Sequence, residues 1–179
     1  MPVVWQDAMS VGNLIIDDEH KYLFCLINGV ELALKLDNNR AILKQLFEQL
    51  EEYTLSHFRQ EEKTQLKMKY PGYIEHKMEH QRILEQMAAL RQRVLESEPI
   101  SAEEDLEVIL EQETAKIDNY GEPGSGAAEP EPAESDSLNL DPQVQEQVVG
   151  LLRGWVLDHV LKTDMQMKKY LQRLPKNFL

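Results

Sequence analysis

Four stretches of the chain repeat apolar residues at helical spacing, with polar residues between them and breakers at their ends. The first runs from about Asp18 to Leu36, with Leu23, Phe24, Leu26, Ile27, Val30 and Leu34 on one face and "DNN" as its stop. The second, Arg40 to Lys69, carries Ile42, Leu43, Leu46, Phe47, Leu50, Tyr53, Leu55 and Phe58, and ends at "YPGY" through Pro71 and Gly72. The third, Ile74 to Leu95, carries Met78, Ile83, Leu84, Met87, Leu90 and Val94. The last opens at "LDPQV", where Asp141 suits an N-cap and Pro142 a first helical residue, and continues to about Leu174. Its apolar face is Val144, Val148, Leu151, Trp155, Val156, Val160 and Met167. Four amphipathic helices with mostly short links predict an all-α, up-down-up-down four-helix bundle.

The link between the third and fourth helices breaks the pattern. Residues 98–140 form an acidic insertion, and "YGEPGSGAAEPEPAESDS" within it has almost no large apolar residue to offset the entropy of ordering. Tyr120 to Leu138 is therefore expected to be a disordered linker. Just before it, Leu106, Ile109, Leu110 and Ile117 suggest a short extra helix over 102–118. At 179 residues the whole chain, 1–179, reads as one domain carrying this insertion.

Charge follows the same division. The net charge is −13, but fifteen of the 32 acidic residues and one of the 19 basic ones fall between Glu96 and Asp141. The remainder is close to neutral, so neither part offers a basic surface for nucleic acid or anionic lipid. No apolar run is long enough to span a membrane and the start "MPVVWQDAMS" has no signal-peptide pattern, so the expectation is a cytoplasmic protein. Cys25 is the single cysteine, which excludes an intrachain disulfide, and on a helix it is expected to be a small buried apolar residue.

Candidate chemistry lies in the histidines. All five, His20, His57, His76, His80 and His159, fall on the four helices. His57 precedes Glu61 by four residues, which puts both on one helical face, and His76 and His80 have the same spacing. His159 precedes Asp164 by five. One His–Glu pair at helical spacing is usually a solvated surface pair, but the joint pattern is hard to reach by chance. Imidazoles with two carboxylates and no thiolate suit iron, zinc, copper or nickel rather than a structural zinc or iron–sulfur site. Five imidazoles exceed what one ion with an open position needs, so two ions are implied, with Glu61 and Asp164 available to bridge them. Paired Glu-x-x-His motifs of the ferritin-like di-iron class are absent.

These pieces closely resemble the hemerythrin family, and within it the single-domain bacteriohemerythrins. The matching segments are Trp5 with "SVGNLIIDDEH" (10–20), "YTLSHFRQEE" (53–62), "YPGYIEHKMEH" (70–80) and "LRGWVLDHVLKTD" (152–164). The resemblance implies two iron ions with an oxo or hydroxo bridge. His20 and His57 would bind one iron, His76, His80 and His159 the other, and Glu61 and Asp164 would bridge. The two-histidine iron would keep an open position for dioxygen, and Leu23, Trp155, Val156 and Val160 would line an apolar oxygen pocket. Glu19 stands where the family commonly has Gln.

The function implied is reversible dioxygen binding for storage, delivery or scavenging, by a monomer with no catalytic residues of its own. The alternatives are an oxygen or redox sensor that contacts a protein partner through the acidic insertion, and a di-iron enzyme with peroxidase or nitric-oxide-reducing activity.

Overall fold

The computed structural model describes residues 2–36, 39–95, 138 and 140–178. The extra helix expected over 102–118 and the linker 120–137 lie outside them. Four long helices form the bundle: α1 (Leu14–Leu36), α2 (Arg40–Lys67), α3 (Tyr73–Leu95) and α4 (Pro142–Asp158). The chain passes from α4 straight into a π-helical turn, His159–Thr163, then a 3-10 turn, Asp164–Met167, and a last α turn, Lys168–Leu171.

The helix ends follow from local chemistry. Asn13 Oδ1 accepts from the backbone N–H groups of Ile15 and Ile16 at 3.0 and 3.1 Å, so α1 starts four residues before the apolar repeat alone predicts. Asn39 caps α2 through Ile42 N, and Asp141 caps α4 through Gln143 N with Pro142 at the first turn. After α2, Lys69 turns back in the left-handed region at φ +52°, and Tyr70 N–H returns to the carbonyl of Gln65.

Helix α1 packs against both α2 and α4, α2 against α3, and α3 against α4. The resulting core runs the length of the bundle, with Phe47, Ile27, Leu34, Leu43, Leu50, Met87, Leu90 and Leu152 fully enclosed. A smaller group, Val11, Ile16, Tyr70, Met167 and Leu171, closes one end. There the C-terminal segment is pinned to the start of α1, Leu14 N donating to Lys176 O and Asn13 Nδ2 to Phe178 O, both at 2.7 Å. Near the other end, Lys35 and Arg153 both donate to the buried Glu31 carboxylate, which ties α1 to α4.

Three sequence expectations are corrected. Ile42 and Met78 sit on the edges of their apolar stripes and are exposed, Met78 at 64%, because the bundle buries a narrower face of α2 and α3 than the periodicity suggests. Cys25 is exposed rather than buried, since it lies on the side of α1 opposite its neighbours on the core face. Leu138, included in the expected linker, is buried among the core residues, and Leu140 packs beside it. Among the described residues no helix is long and apolar enough to cross a membrane.

Candidate metal centre

Each helix places its donors on the inner face about halfway between the core and the small closing cluster. On α1, His20 follows the buried Ile16 and Asp17 by one turn; on α2, His57 and Glu61 sit one turn apart; on α3, His76 and His80 do the same. All are almost fully enclosed, with His20 and Glu61 at 0% exposure. Such burial of ionisable side chains is costly unless they are paired or hold an ion.

The fourth helix reaches the same point by another route. Five residues along an α-helix turn about 500°, leaving two side chains about 140° apart. The π turn is wider, and it brings Asp164 back under His159, with Nε2 to Oδ1 at 3.1 Å. Thr163, in the same turn, donates through Oγ1 to both oxygens of Glu79 on α3 at 2.9 Å, which ties the widened turn to the bundle.

The donors form two groups that share Glu61 and Asp164. One is His20, His57, Glu61 and Asp164; the other is Glu61, His76, His80, His159 and Asp164, with the donor atoms of each within 4.8 Å of one another. In the larger group the Nε2 atoms of His80 and His159 are 3.0 Å apart, and both His76 and His80 lie 3.2 Å from Glu61 Oε2. In the smaller, His20 Nε2 is 3.1 Å from Asp164 Oδ2. Atoms about 3 Å apart have the spacing of neighbouring ligands whose bonds of about 2.1 Å meet an ion near right angles.

Hydrogen bonding alone leaves this cluster unsatisfied. His20 Nε2, His57 Nε2, Glu61 Oε1 and both oxygens of Asp164 are buried without a hydrogen-bond partner, although they face one another. Orphaned buried polar atoms of this number in one place are rare in proteins. Lone-pair donors that converge on shared points are what cations require, so the residues fit a pair of metal ions.

The outer ring nitrogens support that arrangement. Nδ1 of His57 meets Glu19 at 2.9 Å, Nδ1 of His80 meets Glu62 at 3.1 Å and Nδ1 of His159 meets Glu79 at 3.2 Å. A carboxylate can only accept, so each Nδ1 carries the proton, and the neutral ring turns a lone pair on Nε2 toward the centre. The hydrogen bond from His159 also holds the Glu79 carboxyl below its usual range, against the opposing effect of burial.

Without an ion, protons would have to balance the buried carboxylates. Burial disfavours a charged His76, but the close approach of the Asp164 and Glu61 carboxylates outweighs that and raises its pKa to about 9. Burial likewise opposes charge on His159, yet Asp164 and Glu61 push it well above the usual histidine value. His80 goes down, through burial and the charges of its two neighbouring rings. Burial raises the carboxyls of Glu61 and Asp164, but the surrounding imidazoles overcome this and keep both well below their normal range.

Against one imidazole of each donor group, His57 and His159, lies a cavity of about 10 Å³, measured as room for the centre of a water molecule, enough for roughly one small molecule. Leu23, Trp155, Val156 and Val160 line it together with Thr54, His57, Phe58, Ile83 and His159. Phe58 lies flat on the His80 ring, with centroids 3.7 Å apart and planes within 6°, and edge-on to His159. Sequence reasoning did not single out Phe58, Ile83, Glu62 or Glu79 for the site. The signal for Phe58 and Glu62 was their place directly after His57 and Glu61; for Glu79 it was adjacency to His80, which misleads, since its partner is His159 on another helix.

Comparison with known proteins agrees with this geometry. The profile of the Hemerythrin HHE cation binding domain matches residues 11–120. The bacteriohemerythrin of Stenotrophomonas maltophilia is 31% identical over 101 residues, 56% of this chain and 65% of that one, so just under two thirds of that relative is spanned. The myohemerythrin of Sipunculus nudus is 34% identical over 90 residues, 50% of this chain and 69% of that one. A crystal structure of a leucine-to-phenylalanine mutant superposes with a TM-score of 0.63 over 96% of this chain and 99% of its own, at 20% identity, which shows a shared fold. The profile match ends before α4, so the placement of His159 and Asp164 comes from the tertiary structure. With the profile spanning more than half of its length, the chain belongs to the hemerythrin family.

Proposed function

We propose that the chain binds two iron ions, one at His20 and His57 and the other at His76, His80 and His159, with Glu61 and Asp164 shared, and that it uses them to bind dioxygen reversibly. The observation that carries this reading is the pair of donor groups joined through the same two carboxylates. The four-donor group has one histidine fewer than the other, so the ion there keeps room for a further ligand. The small cavity reaches that group through His57, and the other through His159. Two ferrous ions would supply the electrons on which reversible dioxygen binding depends.

The side chains contribute exclusion and orientation. Leu23, Phe58, Ile83, Trp155, Val156 and Val160 give the cavity an apolar wall, which keeps out water and slows loss of the bound ligand. Apart from the imidazoles, Thr54 is the one polar side chain there, and no general acid or base faces the space. That favours binding over turnover.

Iron per chain by elemental analysis, with visible spectra of the anaerobically reduced protein before and after air, tests the reading. Two irons and a new band that disappears when dioxygen is removed are expected. Two irons that oxidise at once without a reversible band would exclude a carrier, and absence of iron would exclude the metal assignment.

A further inference from the structure

Glu19 holds a place that no other described residue shares. Its Oε2 accepts from His57 Nδ1 at 2.9 Å, and its Oε1 accepts from Gln60 Nε2 at 3.2 Å, so both oxygens are fixed. His20, the other imidazole of the four-donor group, has no partner on its Nδ1. On the five-donor side the same role is divided between Glu62 on His80 and Glu79 on His159. Among the described residues, the outer negative charge bonded to a histidine of the four-donor group therefore comes from one side chain.

We propose that Glu19 is a positioning residue that sets the reduction potential of the ion in the four-donor group. A carboxylate bonded to Nδ1 draws the ring toward imidazolate character, makes Nε2 a stronger donor and places a negative charge one ring away from the ion. Each effect favours ferric over ferrous iron, in a couple that takes up one electron and moves no bond or leaving group. The side chain is 17% exposed, so solvent screens this charge only in part. The inference rests on the di-iron reading and adds to it the residue that decides how readily the centre oxidises.

The test is spectroelectrochemical titration of the iron-loaded full chain as wild type, Glu19→Gln and Glu52→Gln. Glu19→Gln keeps the size and an acceptor for His57 but removes the charge; Glu52 is exposed and serves as the control for net charge. Glu19→Gln is expected to keep its iron and to lose about tenfold in preference for ferric iron, a rise of about 59 mV, with Glu52→Gln unchanged. Equal potentials in wild type and Glu19→Gln, both with iron bound, overturn the proposal, as does an equal rise in Glu52→Gln. A wild type that takes up no iron sinks the di-iron reading itself, an outcome plainly different from equal potentials. Ring ¹⁵N spectra of the zinc-loaded wild type give a second check that needs neither redox chemistry nor a variant. His57 should be protonated at Nδ1, and a proton-free Nδ1 overturns the proposal.

Discussion

His159 and Asp164 meet at 3.1 Å although they stand five positions apart, because the chain widens into a π-helical turn between the two. The wider winding compensates for the extra residue, so this helix too supplies both an imidazole and a shared carboxylate. Leu161, at 43% exposure, lies inside that turn and faces outward.

Deleting Leu161 would leave His159 and Asp164 four positions apart, and ordinary α-helical winding then sets them about 40° apart, on one face, as it does His57 and Glu61. Iron per chain is expected to stay near the wild-type level, and far-ultraviolet circular dichroism to keep its helical shape. A deletion variant that loses half of its iron or more would show that the widened turn itself is required.

His76→Ala removes one of five donors from the larger group and leaves a cavity beside two buried carboxylates. Because ion binding and folding are coupled, both iron content and the melting temperature of the loaded protein should fall, with iron affinity lower by roughly 10- to 100-fold or more. Elemental analysis and calorimetry measure the two effects; unchanged iron would take His76 out of the centre.

Stripping the iron by chelation should make stability fall with rising pH. The folded-state pKa of His76 is about 9, above the 6.5 of the unfolded chain, and that of His159 is shifted in the same direction. Their contribution is complete below pH 6.5 and is lost as the pH climbs to about 9, on the order of 3 kcal/mol for His76 alone. His80 is shifted the other way, so its effect falls below pH 6.5 and outside this window. Urea midpoints at pH 6.5 and 9 check the sign. In the loaded protein, ions replace these protons and the decline should vanish.

Leu138 is 5% exposed within the core next to the start of α4. Leu138→Ala should cost about 2–3 kcal/mol in denaturant unfolding and leave iron content unchanged. A cost below about 0.5 kcal/mol would mean that this residue does not anchor the end of the insertion.

Cys25 faces solvent, so the native protein should react with one equivalent of a thiol reagent without denaturant. Reaction that waits for unfolding would return Cys25 to the interior.

Helix positions and most donors were legible in the sequence because they depend on neighbours in the chain. Asn39 and Asp141 cap the residues that follow them, and His57 with Glu61 or His76 with His80 share a face because four residues make about one turn. The apolar repeats of α1 and α4 likewise carried their own period. Other features depended on how each helix is rotated against its partners. That rotation exposes Cys25 and Met78 and points Glu79 at His159 rather than at the adjacent His80, while Leu138, which precedes the last long helix, is buried by its packing on the core. The pairing of Glu19 with His57 joins residues 38 apart, and Thr163 reaches Glu79 across 84. Periodicity along one segment carries no information on such pairs. Local composition determined the elements and the donors on them, while packing decided which donors share a carboxylate and which carboxylate orients each ring, because only packing brings separate helices within hydrogen-bonding distance.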